Sequence, residues 1–171
     1  SGSGNDLSKS GTIDVVTNAQ NGLNVLRTNT LNSEYYYRAT SNLPAGDQTW
    51  MILFKEAATS PTNNGAGGIA SYTWTGNSYW RFESGSSGVF NGRLRWNQAG
   101  VGWRITTGQM TTPVQFNILA ATFDDISGNC RVKLWLNGNL HSTNDAGYAV
   151  GANGYIRLAR GTSRAAIGDY A

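Results

Sequence analysis

Turn signals interrupt this chain at short, regular intervals. Clusters of Gly, Asn, Ser and Pro recur along all 171 residues, and the runs between them are rich in Val, Ile, Thr, Tyr, Phe and Trp. β-Branched and aromatic side chains fit a pleated surface, whereas Gly and Asn tolerate the positive φ of tight turns. The runs predict strands over 12–17, 22–27, 34–39, 48–55, 68–74, 78–83, 88–91, 93–97, 102–106, 115–123, 130–136, 139–143, 155–160 and 165–170. Spacing of roughly 8–12 residues is the pattern of an antiparallel sandwich or barrel. A helical bundle is excluded.

Composition narrows the partners. Charged residues are 13% of the chain and aromatics 11%, too much apolar bulk and too little charge for a disordered polymer. The formal charge is +3, from 13 Lys and Arg against 10 Asp and Glu. No basic run is clustered, which argues against nucleic acid. Ten of the thirteen cations are Arg, a bias toward planar, bidentate contacts. Cys130 is the only cysteine. It rules out an internal disulfide and reads as an unreactive thiol. With one His and one Cys there is no zinc site of the usual kind, and no apolar run approaches the ~20 residues of a membrane span. The opening Ser1-Gly2-Ser3-Gly4 resembles a linker or a processed end. Residues 1–11 are therefore read as flexible or linker-like, and 12–171 as a single domain.

Alternation assigns faces. Val132, Leu134 and Leu136 share one side of their run, with Arg131, Lys133 and Trp135 on the other. Trp80 and Phe82 oppose Tyr79, Arg81 and Glu83; Leu94 and Trp96 oppose Arg93 and Arg95; Ile156 and Leu158 oppose Tyr155 and Arg157. Runs 48–55 and 115–123 alternate poorly, which predicts central strands covered on both sides. Asn137-Gly138 and Asn91-Gly92 each read as type I′ hairpin turns. The Gly- and Asn-rich stretch 60–68 reads as a long flexible loop.

The C-terminal third resembles a known family. Phe116-Asn117-Ile118-Leu119-Ala120-Ala121-Thr122-Phe123-Asp124 followed by Val132-Lys133-Leu134-Trp135-Leu136-Asn137-Gly138 is similar to the paired strands of laminin-G-like domains, a branch of the concanavalin-A-like jelly rolls. Upstream, 46–55 and Ile69-Ala70-Ser71 resemble earlier strands of that family, and Ile167-Gly168-Asp169-Tyr170-Ala171 resembles the opening of its last. The resemblance implies an all-β, antiparallel two-sheet β-sandwich. It also implies that the domain lacks part of its last strand: the plainer reading is a truncated strand, the alternative a strand-donating partner at the C-terminal edge that completes it. The fold hosts lectins, glycosidases and virion proteins alike, so it does not select a function.

The residues give the functional expectation. Jelly-roll glycosidases use acidic residues at i and i+2 or i+4 on one strand face. Glu34, Glu56 and Glu83 each stand alone, and adjacent Asp124 and Asp125 would point apart, so no enzyme is expected. Calcium is the one cofactor considered, on the hard oxygens of Asp124, Asp125 and Asp145. The competing reading has these carboxylates bonding their own turns.

If 79–83, 93–96 and 102–106 form a meander, Arg81, Arg93, Arg95 and Arg104 crowd one surface beside Tyr79. An aromatic platform lets a sugar ring stack, and Arg donates paired hydrogen bonds to its oxygens. The plainer alternative is a solvated face whose Arg stems cover tryptophans. Trp74 and Trp103, each beside a Gly-containing turn or loop, are candidate rim platforms. Trp135 is expected to be covered by a loop or a partner chain. The expected role is lectin-like carbohydrate recognition on an extracellular or virion surface. The alternative is a structural virion protein (capsid decoration, fibre or tail component) working through protein contacts, with a glycan-cleaving enzyme less favoured.

Overall fold

The computed structural model describes residues 7–28, 35–39, 43–56, 68–75, 78–83, 91–98, 101–109, 115–146, 149–159 and 168–170. Local geometry follows the turn chemistry. Asn137 and Gly138 take φ values of 52° and 83°, as a type I′ turn requires. The turn is also anchored: the Asn137 side-chain oxygen accepts from the Ile118 N–H at 2.8 Å, and the Asn137 N–H donates to the Ile118 carbonyl at 2.9 Å. Asn91-Gly92 behaves differently from expectation. It begins a continuous strand, because Asn91 and Arg93 both pair with the next strand across a bulge.

Among the described residues, fourteen strands build two seven-stranded antiparallel sheets. The first sheet is ordered β1 (Ser8–Ser10), β4 (Tyr35–Arg38), β13 (Tyr155–Leu158), β6 (Gly68–Thr75), β7 (Ser78–Glu83), β8 (Asn91–Gln98), β9 (Val101–Gln109). The second runs β12 (Asn139–Ala146), β11 (Asn129–Leu136), β10 (Asn117–Ile126), β5 (Gln48–Glu56), β14 (Gly168–Tyr170), β3 (Leu23–Thr28), β2 (Asp14–Gln20). Ser8–Ser10, read from sequence as linker, is an edge strand paired with β4. The meander β7–β8–β9 forms as expected. The loop stretch 60–67 and the expected strand residues 88–90 lie outside the described residues.

The core forms where the two sheets face each other. Trp80, Trp96, Phe82, Leu94, Tyr72, Phe123, Leu119, Val132 and Leu134 are all buried there, the alternation-assigned apolar faces among them. The expectation for the two poorly alternating strands is half met. β5 and β10 are central neighbours, but Met51 and Ile118 stand outward at 73% and 41% exposure. Their sheet is therefore not covered on its outer side at these positions. β14 bears on the expectation about the last strand. It is hydrogen-bonded to β3 on one side and β5 on the other, so its described residues lie inside the sheet and form no C-terminal edge. The edges of that sheet are β12 and β2. Where β14 meets the interior, a cavity of about 170 Å³ is lined by Leu26, Trp50, Ile52, Ala70, Phe82 and Tyr170 among others. A mostly apolar lining of this kind offers a sugar few partners for its hydroxyls.

Candidate functional site

The outer face of the first sheet carries the residues the sequence singled out, and register sets them in rows. One row crosses five strands as Tyr37, Arg157, Ser71, Arg81 and Arg95. Arg104 follows at the next register position, and its side chain lies outside the description. The adjacent row is Tyr155, Thr73, Tyr79 and Asn97. A third pairs Glu83 with Arg93. On β6 the two small residues Ser71 and Thr73 thus lie between larger side chains on both sides. Strands β13 and β7, two spacings apart, stand roughly 10 Å from each other. Small side chains thus line β6 as a shallow trough between the larger ones, open at Thr73 and covered at Ser71, which is 1% exposed.

Its walls are built from paired aromatics and guanidinium groups. Tyr155 stacks on Tyr37 with centroids 5.9 Å apart and planes 5° from parallel, and the Arg157 guanidinium lies 4.3 Å from the Tyr155 ring. Across the trough, Arg81 and Arg95 lie 5.5 and 5.9 Å from the Tyr79 ring. These distances fall within cation–π range. Both walls lean toward the Tyr155–Thr73–Tyr79 row.

One end of the face is not solvated. Glu83 is 1% exposed, accepts from the Arg81 Nε, and receives the Arg93 Nη2 at 3.1 Å. Arg81 and Arg93 are themselves 9% exposed. A buried carboxylate needs such partners, and the pair fixes both arginines in place. The solvated-face alternative therefore fails at this end. The face opens toward Thr73, Tyr79, Arg95, Tyr155 and Arg157, all partly exposed.

The other expected site residues lie elsewhere. Trp74 is partly exposed, and its ring packs 5.3 Å from Trp96 and 5.8 Å from Tyr72, against the core. Gly151 closes over it, since a Cβ there would fall 2.1 Å from the Trp74 Cδ1. Trp103 occupies the register position opposite buried Trp96, on the row of Tyr72 and Trp80, and its side chain is outside the described residues. Trp135 belongs to the opposite sheet, on its outer face with Lys133, half-buried, with an indole N–H that finds no acceptor. Tyr37, Tyr155 and Arg157 were not picked out as site residues. Alternation had placed Tyr155 and Arg157 outward, but only the insertion of β13 between β4 and β6 brings them to the trough.

The calcium candidates do not converge. Asp124 receives Lys133 at 3.1 Å, Asp145 takes Arg131 in a bidentate contact at 2.8 and 3.1 Å, and Asp125 accepts the Gly128 N–H at 2.9 Å. The Arg131 contact holds the exposed Asp145 carboxyl below its usual range. Among the described residues no three His, Cys, Asp or Glu side chains gather as a metal site. Cys130 is buried, and burial reinforced by Asp124, Asp125 and Asp47 pushes its thiol up to about 12. At pH 8 the thiol is protonated, and the thiolate is the nucleophile. Native protein is therefore expected to stay unmodified by iodoacetamide at pH 8 for hours, and urea-unfolded protein to react within minutes. Mass spectrometry reads both, and rapid native alkylation would contradict the burial.

No protein-family model matches the sequence, and no curated protein matches it either. Solved structures do match in shape. Domain 4 of an extracellular arabinanase from Geobacillus stearothermophilus, in complex with arabinotriose, superposes with a TM-score of 0.63 at 14% identity, over 96% of this chain and 79% of that one. The legume lectin-like domain from Entamoeba histolytica gives 0.59 at 9% identity, over 96% and 85%. The CBM40 of a Ruminococcus gnavus IT-sialidase, bound to alpha2,3 sialyllactose, gives 0.52 at 13%, over 78% and 89%. The fold is a concanavalin-A-like jelly roll. At these identities the likeness concerns architecture, and a fold of this breadth leaves activity to be argued from the site.

Proposed function

We propose that this protein is a non-catalytic carbohydrate-recognition module of laminin-G-like type, acting at an extracellular or virion surface through the outer face of its first sheet. The observation that carries this reading is the trough along β6. Two tyrosine-based walls flank the partly exposed Thr73, with Asn97 beside them. Tyrosine rings give the apolar face of a pyranose something to stack on, and Arg and Asn side chains satisfy its hydroxyls. Similarity in shape to a module bound to arabinotriose and to one bound to sialyllactose agrees with this use of the fold. Glycosidic cleavage would need two carboxylates flanking the bond. Glu83, the only acid in the described strands of this sheet, is buried between two arginines.

A glycan array followed by titration of the strongest binder tests the proposal. Specific, saturable binding is expected, weakened roughly tenfold, equivalent to about 1.4 kcal/mol, by either Tyr79→Ala or Tyr155→Ala. Folded protein that leaves the array silent would overturn it. A second reading, a structural virion component, draws on the opposite sheet. There Leu140, Trp135, Ala120 and Met51 form one row across four strands, beside Ile118. Met51, Leu140 and Ile118 are exposed, as suits a protein contact. Concentration-dependent sedimentation together with a silent array would favour this second reading.

A further inference from the structure

The trough carries a charge imbalance that hydroxyl recognition does not require. Four arginines whose side chains are described approach it, and Arg104 continues their row, against a single glutamate. Glu83 is held by Arg81 and Arg93. Arg95 and Arg157 have no ion pair among the described residues; each instead lies against a tyrosine ring. The Arg157 Nε is buried without an acceptor. Desolvating a guanidinium nitrogen without an acceptor is costly, and Arg95 adds like charge next to Arg81 on the same row. A folded domain carries such an arrangement at a cost that an arriving anion would relieve.

We infer that the ligand is a saccharide bearing a carboxylate, a uronic or sialic acid residue, whose ring lies over Thr73 between the side chains of Tyr155 and Tyr79 and whose carboxylate is taken by Arg157, with Arg95 as the second positive group. This rests on the carbohydrate reading above and names its ligand class. The planar guanidinium edge matches the two oxygens of a carboxylate in a bidentate contact. The tyrosine rings matched to each arginine demand an apolar ring face next to the charge, which a uronate provides and a free inorganic anion does not. Partial burial of this end of the face strengthens the contact beyond that of an exposed ion pair.

The experiment is an array that prints acidic glycans beside their neutral counterparts: trigalacturonate and its carboxyl-reduced form, hyaluronan oligosaccharides and theirs, sialyllactose and lactose, with sulfated oligosaccharides as a further arm. Binding to at least one carboxylate glycan is expected, at least tenfold tighter than to its neutral partner. Arg157→Gln should abolish that preference, and Arg95→Gln should reduce it severalfold. Raising salt from 0.05 to 0.5 M should weaken the acidic binder and leave any neutral one unaffected. Equal binding of acidic and neutral members would overturn this inference while leaving the carbohydrate reading intact. Preference for the sulfated arm would overturn the carboxylate assignment. A silent array would overturn both. Unchanged preference in Arg157→Gln, with circular dichroism showing the variant folded, would remove Arg157 from the site.

Discussion

Glu83→Leu is expected to destabilise the domain by about 3–5 kcal/mol, the usual cost of removing one member of a buried ion pair. The carboxylate is 1% exposed, and the side chains of Arg81 and Arg93 that converge on it are each 11% exposed. Leucine would roughly preserve the volume but remove the charge that two buried cations face. For a chain of this length each kcal/mol moves the melting temperature by about 2–4 °C, so a drop of roughly 6–20 °C is expected. Arg93→Leu should cost less, because Arg81 still answers Glu83. Thermal unfolding of the two variants side by side checks the ordering. A Glu83→Leu protein melting within a degree or two of the parent would show that the triad contributes no net stability. The same substitution should also weaken glycan binding, since Glu83 holds Arg81 beside Tyr79.

Trp80→Ala is expected to cost at least as much, about 3–5 kcal/mol. Trp80 is fully buried at the centre of the sandwich, where its ring meets Trp50 at 4.7 Å, Phe82 at 5.3 Å and Phe123 at 5.6 Å. Those rings come from β5, β7 and β10, so the contact joins the two sheets. Rigid aromatics anchored on separate strands collapse poorly into a void, which puts the expected cost toward the upper end of the range. Trp80→Phe separates volume from polarity. The indole N–H is buried with no acceptor, so phenylalanine removes an unsatisfied donor while keeping most of the ring. It should lose no more than about half of what alanine loses. Urea midpoints of the two variants decide this, and equal losses would mean that ring shape rather than buried bulk sets the stability.

The fold and the site were legible in the sequence to different depths. Alternation placed Trp80, Trp96, Leu94 and Leu134 in the core and Tyr79, Arg81 and Arg95 outside it, because a strand's period of two is a local property. Asn137-Gly138 announced its hairpin because positive φ is a property of those two residues. Trp74 shows the limit of such local signals. Its neighbouring turn suggested a rim, whereas Gly151, distant in sequence, closes over its ring. Glu83 stood alone in the sequence but not in space, since its second arginine comes from the next strand.

What the sequence determined by itself was therefore one-dimensional: strand existence, which side of each strand is apolar, and the tight turn at Asn137. The tertiary structure alone decided which strands lie side by side. It set β13 between β4 and β6, and so brought Arg157 and Tyr155 opposite Ser71 and Thr73, more than 80 residues away in the chain. It also set β14 inside its sheet rather than at an edge. Strand order is selected by the joint burial of two whole sheet faces, and no local period carries that information.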